Sequence, residues 1–122
     1  MNFDVKTAVK DYTKVILKDY DIREKLALNL AADLVLAQAK LNTPVDTGLL
    51  RNSETKQVIE KKALVGTNIE YAPNVEFGTS KQRAKPYLRP ALDNNVRNIK
   101  KIFKDLFVWY SKRLQKWLMI YQ

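Results

Sequence analysis

Every strong helix breaker in this chain lies in its middle. The three glycines (Gly48, Gly66, Gly78) and the four prolines (Pro44, Pro73, Pro86, Pro90) all fall between residues 44 and 90. These are the residues that end helices and make tight turns. The chain is thereby divided into two helix-permissive ends and a punctuated centre. Its 122 residues make one domain, organised as 3–42, 44–90 and 91–121.

The first flank reads as two helical stretches. Val5, Ala8, Tyr12 and Val15/Ile16 recur at three- and four-residue spacing. Tyr20-Asp21 interrupts this pattern, and Asp21 with Glu24 forms a loose capping box for a second helix. In that helix Ile22, Leu26, Leu30, Leu34, Ala37 and Leu41 form one stripe. Leu28, Val35 and Leu36 widen it, so contact on more than one side is expected. Thr43 precedes Pro44, which biases it out of the α region and ends the helix.

The centre changes period. Ser53 to Glu60 carries Thr55, Val58 and Ile59, Lys61-Lys62 reads as a turn, and Ala63-Leu64-Val65 leads to Gly66, which predicts a β-hairpin. Ile69 to Phe77 reads as a helical turn, with Pro73 near its start and Gly78 just past its end. Lys85 to Arg89 reads as a short strand.

The second flank starts at Pro90, a favoured first helical residue. Val96, Ile99, Phe103, Leu106, Tyr110, Leu114, Trp117 and Tyr121 then recur at steps of three and four, the strongest periodic signal in the chain. Phe107, Trp109, Leu118 and Ile120 lie off this stripe. The extra aromatic surface is covered either by a partner subunit or by the N-terminal helices. Trp109, Tyr110, Trp117 and Tyr121 are the candidates for subunit contact.

The residues available for chemistry are few. The chain has no cysteine and no histidine. That removes disulfides, thiolate nucleophiles, cysteine-ligated metals, the commonest general base and the commonest transition-metal ligand. The acids Asp46, Glu54, Glu60, Glu70 and Glu76 are scattered rather than clustered as an oxygen-ligand metal site requires. Glu70 and Glu76 flank the Pro73 turn and are expected to face Arg51 or Arg89 as structural ion pairs. A hydrolase using Asp46 and Glu76 is the weakest of the readings.

The N-terminus shows no apolar signal region, and the stretch 26–39 contains Asn29, Asp33 and Gln38, so neither export nor membrane spanning is expected. Against 13 acidic residues stand 22 basic ones, a net charge of +9. By segment the excess is +1 over 1–43, +3 over 44–92 and +5 over 93–122. Lys81, Arg83 and Lys85 lie in a loop with no acid between Glu76 and Asp93, Arg89 extends it, and Arg97, Lys100, Lys101 and Lys104 follow on the helix. Such a run is a solvated surface or a contact for nucleic-acid phosphates. No base-reading motif accompanies it.

Two longer segments carry a resemblance. Pro44-Val45-Asp46-Thr47-Gly48-Leu49-Leu50-Arg51-Asn52-Ser53 is followed by Val65-Gly66-Thr67-Asn68-Ile69-Glu70-Tyr71-Ala72-Pro73-Asn74-Val75-Glu76-Phe77-Gly78-Thr79 and by Lys85-Pro86-Tyr87-Leu88-Arg89-Pro90-Ala91-Leu92. Together they resemble the small tail components of long-tailed double-stranded DNA phages, the head–tail joining or tail-completion proteins of the neck. The resemblance covers about residues 25–100. It implies an α+β fold with N-terminal helices, a small mainly antiparallel sheet and a long C-terminal helix. It also implies a non-enzymatic virion subunit without cofactor or membrane contact. Such a subunit would form a ring, expected to be a hexamer, between head-side connector proteins and the tail terminator or tail tube. It would be assembled in the host cytoplasm and have genomic DNA passing through by non-specific contact.

On this reading Lys81, Arg83, Lys85 and Arg89 face the DNA channel or an adjoining ring. Pro44, Asp46, Thr47, Gly48, Arg51, Tyr71, Pro73, Glu76, Gly78, Pro86 and Pro90 maintain the fold. Three features depart from the pattern: Asn74 where an aromatic is common, and the leading helix 3–18 and aromatic end after Tyr110, which read as additions. The competing reading is a small basic protein that binds nucleic acid without sequence preference.

Overall fold

The computed structural model describes residues 5–120, and within the long helices the side chains at 5–13, 16, 107, 110, 114, 117, 118 and 120 lie outside the description. The expected contacts through the side chains of Tyr110, Trp117 and Tyr121 therefore fall outside the described residues. The element order is helix α1 (Val5–Asn42), helix α2 (Leu49–Ser53), strands β1 (Thr55–Ile59) and β2 (Lys62–Gly66), helix α3 (Ala72–Phe77), helix α4 (Leu88–Asp93) and helix α5 (Val96–Ile120). This is an α+β fold in which helix dominates.

The two N-terminal stretches are one helix. Its 38 residues span about 57 Å. The break expected at Tyr20-Asp21 does not form, because nothing there prevents helical geometry and contacts from α5 hold that turn. The Arg113 guanidinium lies 3.7 Å from the Asp19 carboxylate. The Arg23 guanidinium stacks 3.5 Å from the centre of the Trp109 ring, whose surroundings also include Arg113 at 5.1 Å. Asp19 and Arg23 are one helical turn apart, as are Arg113 and Trp109, and the order is reversed. The start of α1 and the end of α5 thus run antiparallel as a two-helix arm. The leading helix and the aromatic end, which read as separate additions, are its two halves.

The second half of α1 carries the core. Ala27, Ala31, Ala32, Val35 and Ala39 are buried, together with Leu50, Ala72, Tyr87 and Ala91. Small side chains on α1 let the hairpin, α4 and α5 approach it closely. The hairpin is antiparallel, with Thr55 opposite Gly66 and Ile59 opposite Lys62. Its turn is Glu60-Lys61, one residue earlier than expected, and Glu60 adopts φ +53°, a left-handed conformation that a tight two-residue turn requires. The half-buried face is Lys56, Val58, Ala63 and Val65. Lys56 belongs on that face because its amine meets the Asp33 carboxylate of α1, which is why apolar alternation is weak in β1.

Two further expectations are corrected. Lys85–Arg89 is not a strand: it pairs with neither β1 nor β2, its one backbone–backbone bond outside a helix is Lys85 N–H to Val75 O at 2.8 Å, and helix starts at Leu88. The C-terminal helix is also interrupted at Asn94-Asn95. Buried Asn95 donates from its side-chain amide to Ala91 O at 2.7 Å, while its carbonyl accepts Ile99 N–H at 2.9 Å. One asparagine thus ends α4 and starts α5.

Candidate functional site

The motif residues converge around the short helices. At the end of α1, Thr43 is buried against the helix and Pro44 turns the chain out. Thr47 Oγ1 accepts the Leu49 N–H at 3.3 Å, Gly48 takes φ +80°, and Gly48 O accepts Asn52 N–H at 3.0 Å. The left-handed glycine is what lets α2 begin immediately after the corner. Across from it stand Tyr71, Asn74, Val75 and Lys85, and the two segments enclose a cleft of about 720 Å³. Asp46 lines this cleft. Glu76 lines a different one, so the two carboxylates of the hydrolase reading do not share a site.

Glu76 has a structural task instead. Oε2 accepts the N–H groups of Tyr87 at 2.8 Å and Leu88 at 3.0 Å, and Oε1 accepts that of Arg89 at 3.0 Å. These belong to the N-cap and first two residues of α4, and Pro90 follows with no N–H to satisfy. A distant carboxylate thus meets the donors that a helix start leaves orphaned and faces the positive end of its dipole. Burial alone would push the Glu76 carboxyl up, but the three backbone donors outweigh it and hold it below its ordinary value of 4.5. The expected ion pair with Arg89 is therefore made to the Arg89 backbone, while its guanidinium pairs with Asp93 at 3.1 Å.

Gly78 makes this arrangement possible. Its φ is +76°, and a Cβ there would lie 2.7 Å from Ala84 N. The returning chain passes directly over the glycine before Tyr87 enters the core.

A second buried carboxyl, Glu54, was not singled out by sequence. It is 1% exposed. Thr43 Oγ1 lies within hydrogen-bonding distance of both Ala39 O (2.6 Å) and Glu54 Oε1 (2.5 Å). A hydroxyl has one proton to donate, so both contacts are satisfied together only when a protonated Glu54 donates back. Burial raises the Glu54 carboxyl above 4.5 despite the opposing influence of Thr43, Lys40 and Arg51. Fully buried Tyr87 is likewise pushed up to about 12, by burial first and then by Glu54, Glu76 and Tyr71.

The basic residues form a surface without a reactive centre. Lys81, Arg83, Lys85 and Arg89 are all exposed, as are Arg97, Lys100, Lys101 and Lys104. The loop under the first three is shaped by its own bonds. Thr79 N–H donates to Gln82 O at 2.8 Å, and Thr79 Oγ1 accepts Lys81 N–H at 3.2 Å. Among the described residues no group of acids could hold a metal ion, and no helix is long and apolar enough to cross a membrane.

Large apolar side chains also reach the surface. A groove of about 820 Å³ runs between α1, β2, α3, α4 and α5, lined mainly by apolar side chains. Phe77 (80% exposed), Leu64 and Leu92 stand at it. On α1, Ile22, Leu26, Leu30 and Leu41 are also exposed.

A family model described as "Bacteriophage HK97-gp10, putative tail-component" matches residues 4–78. The match includes the leading helix, which is therefore part of the family pattern rather than an addition; the basic loop and α5 lie beyond it. No curated protein and no solved structure matches the chain. The motif segment from Pro44 to Gly78 lies inside the match and covers more than half of the chain together with α1, so this protein belongs to the HK97-gp10-like family of bacteriophage tail components.

Proposed function

We propose that the chain is a structural ring subunit of the phage neck that joins the head connector to the tail and performs no catalysis. The observation that carries this reading is its surface. The chain presents 9625 Å² to solvent, whereas a compact monomer of 14.2 kDa presents about 6,800 Å². The surplus of about 2,800 Å² is of the size that permanently associated subunits cover. Large apolar side chains are exposed on α1, and Phe77, Leu64 and Leu92 are exposed at the groove.

The motif residues support the same reading. Glu76, Gly78 and Gly48 are occupied in holding the backbone, so they are unavailable for turning over a substrate. Copies of the chain, head-side connector proteins and the tail terminator or tube are the partners that would cover the apolar surface. The exposed Lys81, Arg83, Lys85 and Arg89 suit passing DNA, because phosphate contact needs only positive charge. Assembly would take place in the host cytoplasm and the product would sit in the virion neck.

Particle imaging tests the proposal. Density for this chain in a ring between portal and tail tube is the expected result. Particles that are fully joined without the chain would refute it. The competing reading, a free nucleic-acid-binding protein, predicts tight DNA binding by the monomer with a steep salt dependence and no place in the particle.

A further inference from the structure

Helix α5 concentrates its charge on one side. Between Val96 and Ile120 it carries seven basic residues and one acid, Asp105, whereas α1 mixes seven basic residues with five acids. At about 3.6 residues per turn, Arg97, Lys100, Lys101, Lys104 and Lys112 fall within an arc of about 120° that runs about 22 Å along the helix. All five are exposed. The opposite side holds half-buried Ile99, Phe103 and Leu106, and Ile99 and Phe103 line the groove beside α1. Arg113 also lies on that inner side, where it meets Asp19 and the Trp109 ring. Among the described residues, none of the five outer cations has an acid within ion-pair distance. Asp105 stands one turn after Lys101 without meeting it.

We infer that this outer face of α5 is a contact for the phosphate backbone of nucleic acid, made without preference for sequence. Resting on the ring reading above, the face adds a second and larger phosphate surface to the loop of Lys81, Arg83 and Lys85. Its spacing is unfavourable to the helix itself. Arg97–Lys101 and Lys100–Lys104 are like-charge neighbours at i,i+4, and Arg97–Lys100 and Lys101–Lys104 at i,i+3. Such neighbours destabilise a helix. A face that only had to be solvated would mix the two signs, as α1 does. A polyanion removes the repulsion, because each cation then meets a phosphate and releases a condensed counterion. Duplex DNA carries one charge per about 1.7 Å of its axis, so a face about 22 Å long spans more phosphates than it has cations. An acidic protein suits the face less well. Protein interfaces are depleted in lysine, and four of the five cations are lysines. Lysine acts as a point charge, without the bidentate fork that arginine offers a carboxylate. An anionic bilayer suits it less well too. Helices that lie on membranes insert an apolar side, and α5 turns its own towards α1.

Two measurements test this. In the first, Arg97, Lys100, Lys101, Lys104 and Lys112 are replaced together by glutamine in the full chain. Relief of like-charge repulsion should leave the melting transition unchanged or higher. Binding to a mixed-sequence DNA duplex is then followed between about 50 and 200 mM salt. The slope of log K against log salt should fall, by about 4.5 if all five cations meet phosphates. A fall of less than about 0.9, a single contact, overturns the assignment. If the same variant then also fails to enter particles, the face belongs to an acidic protein instead. In the second, the absence of native cysteine lets a probe be placed at one position. Lys104→Cys carrying a photoactivatable aryl azide should cross-link to the DNA of joined particles, while Lys61→Cys on the hairpin turn should not. Joined particles that contain the chain but give no cross-link from Lys104→Cys, or equal cross-linking from both positions, refute the α5 contact and leave the neck reading intact. Joined particles lacking the chain refute the neck reading itself, and the salt slope alone then decides the α5 contact.

Discussion

Glu76 Oε2 lies 2.8 Å from the backbone nitrogen of Tyr87, eleven residues further along the chain. That bond, with its companions to Leu88 and Arg89, ties α3 to the start of α4 across the basic loop. It explains physically why the Glu-Phe-Gly-Thr and Lys-Pro-Tyr-Leu-Arg-Pro segments occur together. The glycine lets the chain return, the glutamate receives it, and Pro90 follows where no further donor needs a partner.

Glu76→Gln keeps the shape but gives up the charge and one acceptor oxygen, and it turns an amide towards backbone donors. Bonds to charged groups and buried donors left unpaired each count for about 1.5–3 kcal/mol, so a loss of about 3 kcal/mol is expected in urea unfolding. The pH dependence follows from the lowered Glu76 carboxyl. In the folded state it holds its proton less tightly than in the unfolded chain. Its contribution is complete above pH 4.5 and declines as pH falls through the folded value. The variant should lose this acid-limb contribution. A wild-type difference that persists unchanged well below that range would contradict the capping role.

Glu54 predicts the opposite slope. Its carboxyl is raised, so the folded chain binds the proton more tightly than the unfolded chain does. This contribution is present at low pH and is lost as pH rises above 4.5 through the folded value. Glu54→Gln has no proton to lose, so its stability relative to wild type should improve across that window. Unfolding measured from pH 4.5 to 8 reads the change directly, and a variant that instead loses stability relative to wild type as pH rises would mean that Glu54 is held as a carboxylate.

The glycines provide a paired control. Gly78→Ala places a methyl 2.7 Å from Ala84 N at φ +76°, a backbone contact that a side-chain rotation cannot relieve. A cost of at least about 2 kcal/mol is expected. Gly66→Ala meets nothing within 4 Å and should stay within about 0.5 kcal/mol. Thermal melts of the two variants separate a glycine that the fold requires from one that it tolerates.

Sequence patterns made the hairpin and α3 legible, because Gly66, Pro73 and Gly78 are local signals. The unity of α1 was not legible. Asp19-Tyr20-Asp21 is polar and reads as a break, yet Asp19 meets Arg113 and the next turn meets Trp109, about ninety residues away. The role of Glu76 was hidden for the same reason. A lone acid near arginines suggests an ion pair, and no periodicity reveals a cap delivered across a loop. Asn95 carried a faint signal in the Asn94-Asn95 pair, which the strong apolar spacing of α5 overrode. At the candidate site, the two motif segments were visible as segments. Their convergence and the apolar groove beside α1 depend on helix facing and long-range packing.

The two-helix arm yields a local prediction. Trp109→Ala removes the surface on which Arg23 stacks, an interaction of about 0.5–2 kcal/mol. Since the core lies in the second half of α1, the loss should be confined to the arm. Amide exchange should accelerate between residues 14 and 26 and leave β1 and β2 protected. Equal acceleration in the hairpin would show that the arm and the core unfold as one unit.

The basic loop is tested by the salt dependence of DNA binding rather than by affinity at one ionic strength. Lys81, Arg83 and Lys85 are exposed, so replacing all three with alanine should leave the melting transition in place. Each phosphate contact on duplex DNA contributes about 0.9 to the slope of log K against log salt, through release of bound counterions. If all three residues face DNA in the assembled ring, the triple variant should lower that slope by about 2.7 without changing preference between sequences. Arg97, Lys100, Lys101 and Lys104 provide the comparison, because they lie on α5 and outside the loop. An unchanged slope in the loop variant, with a reduced one in the α5 variant, would move the DNA-facing surface from the loop to the helix.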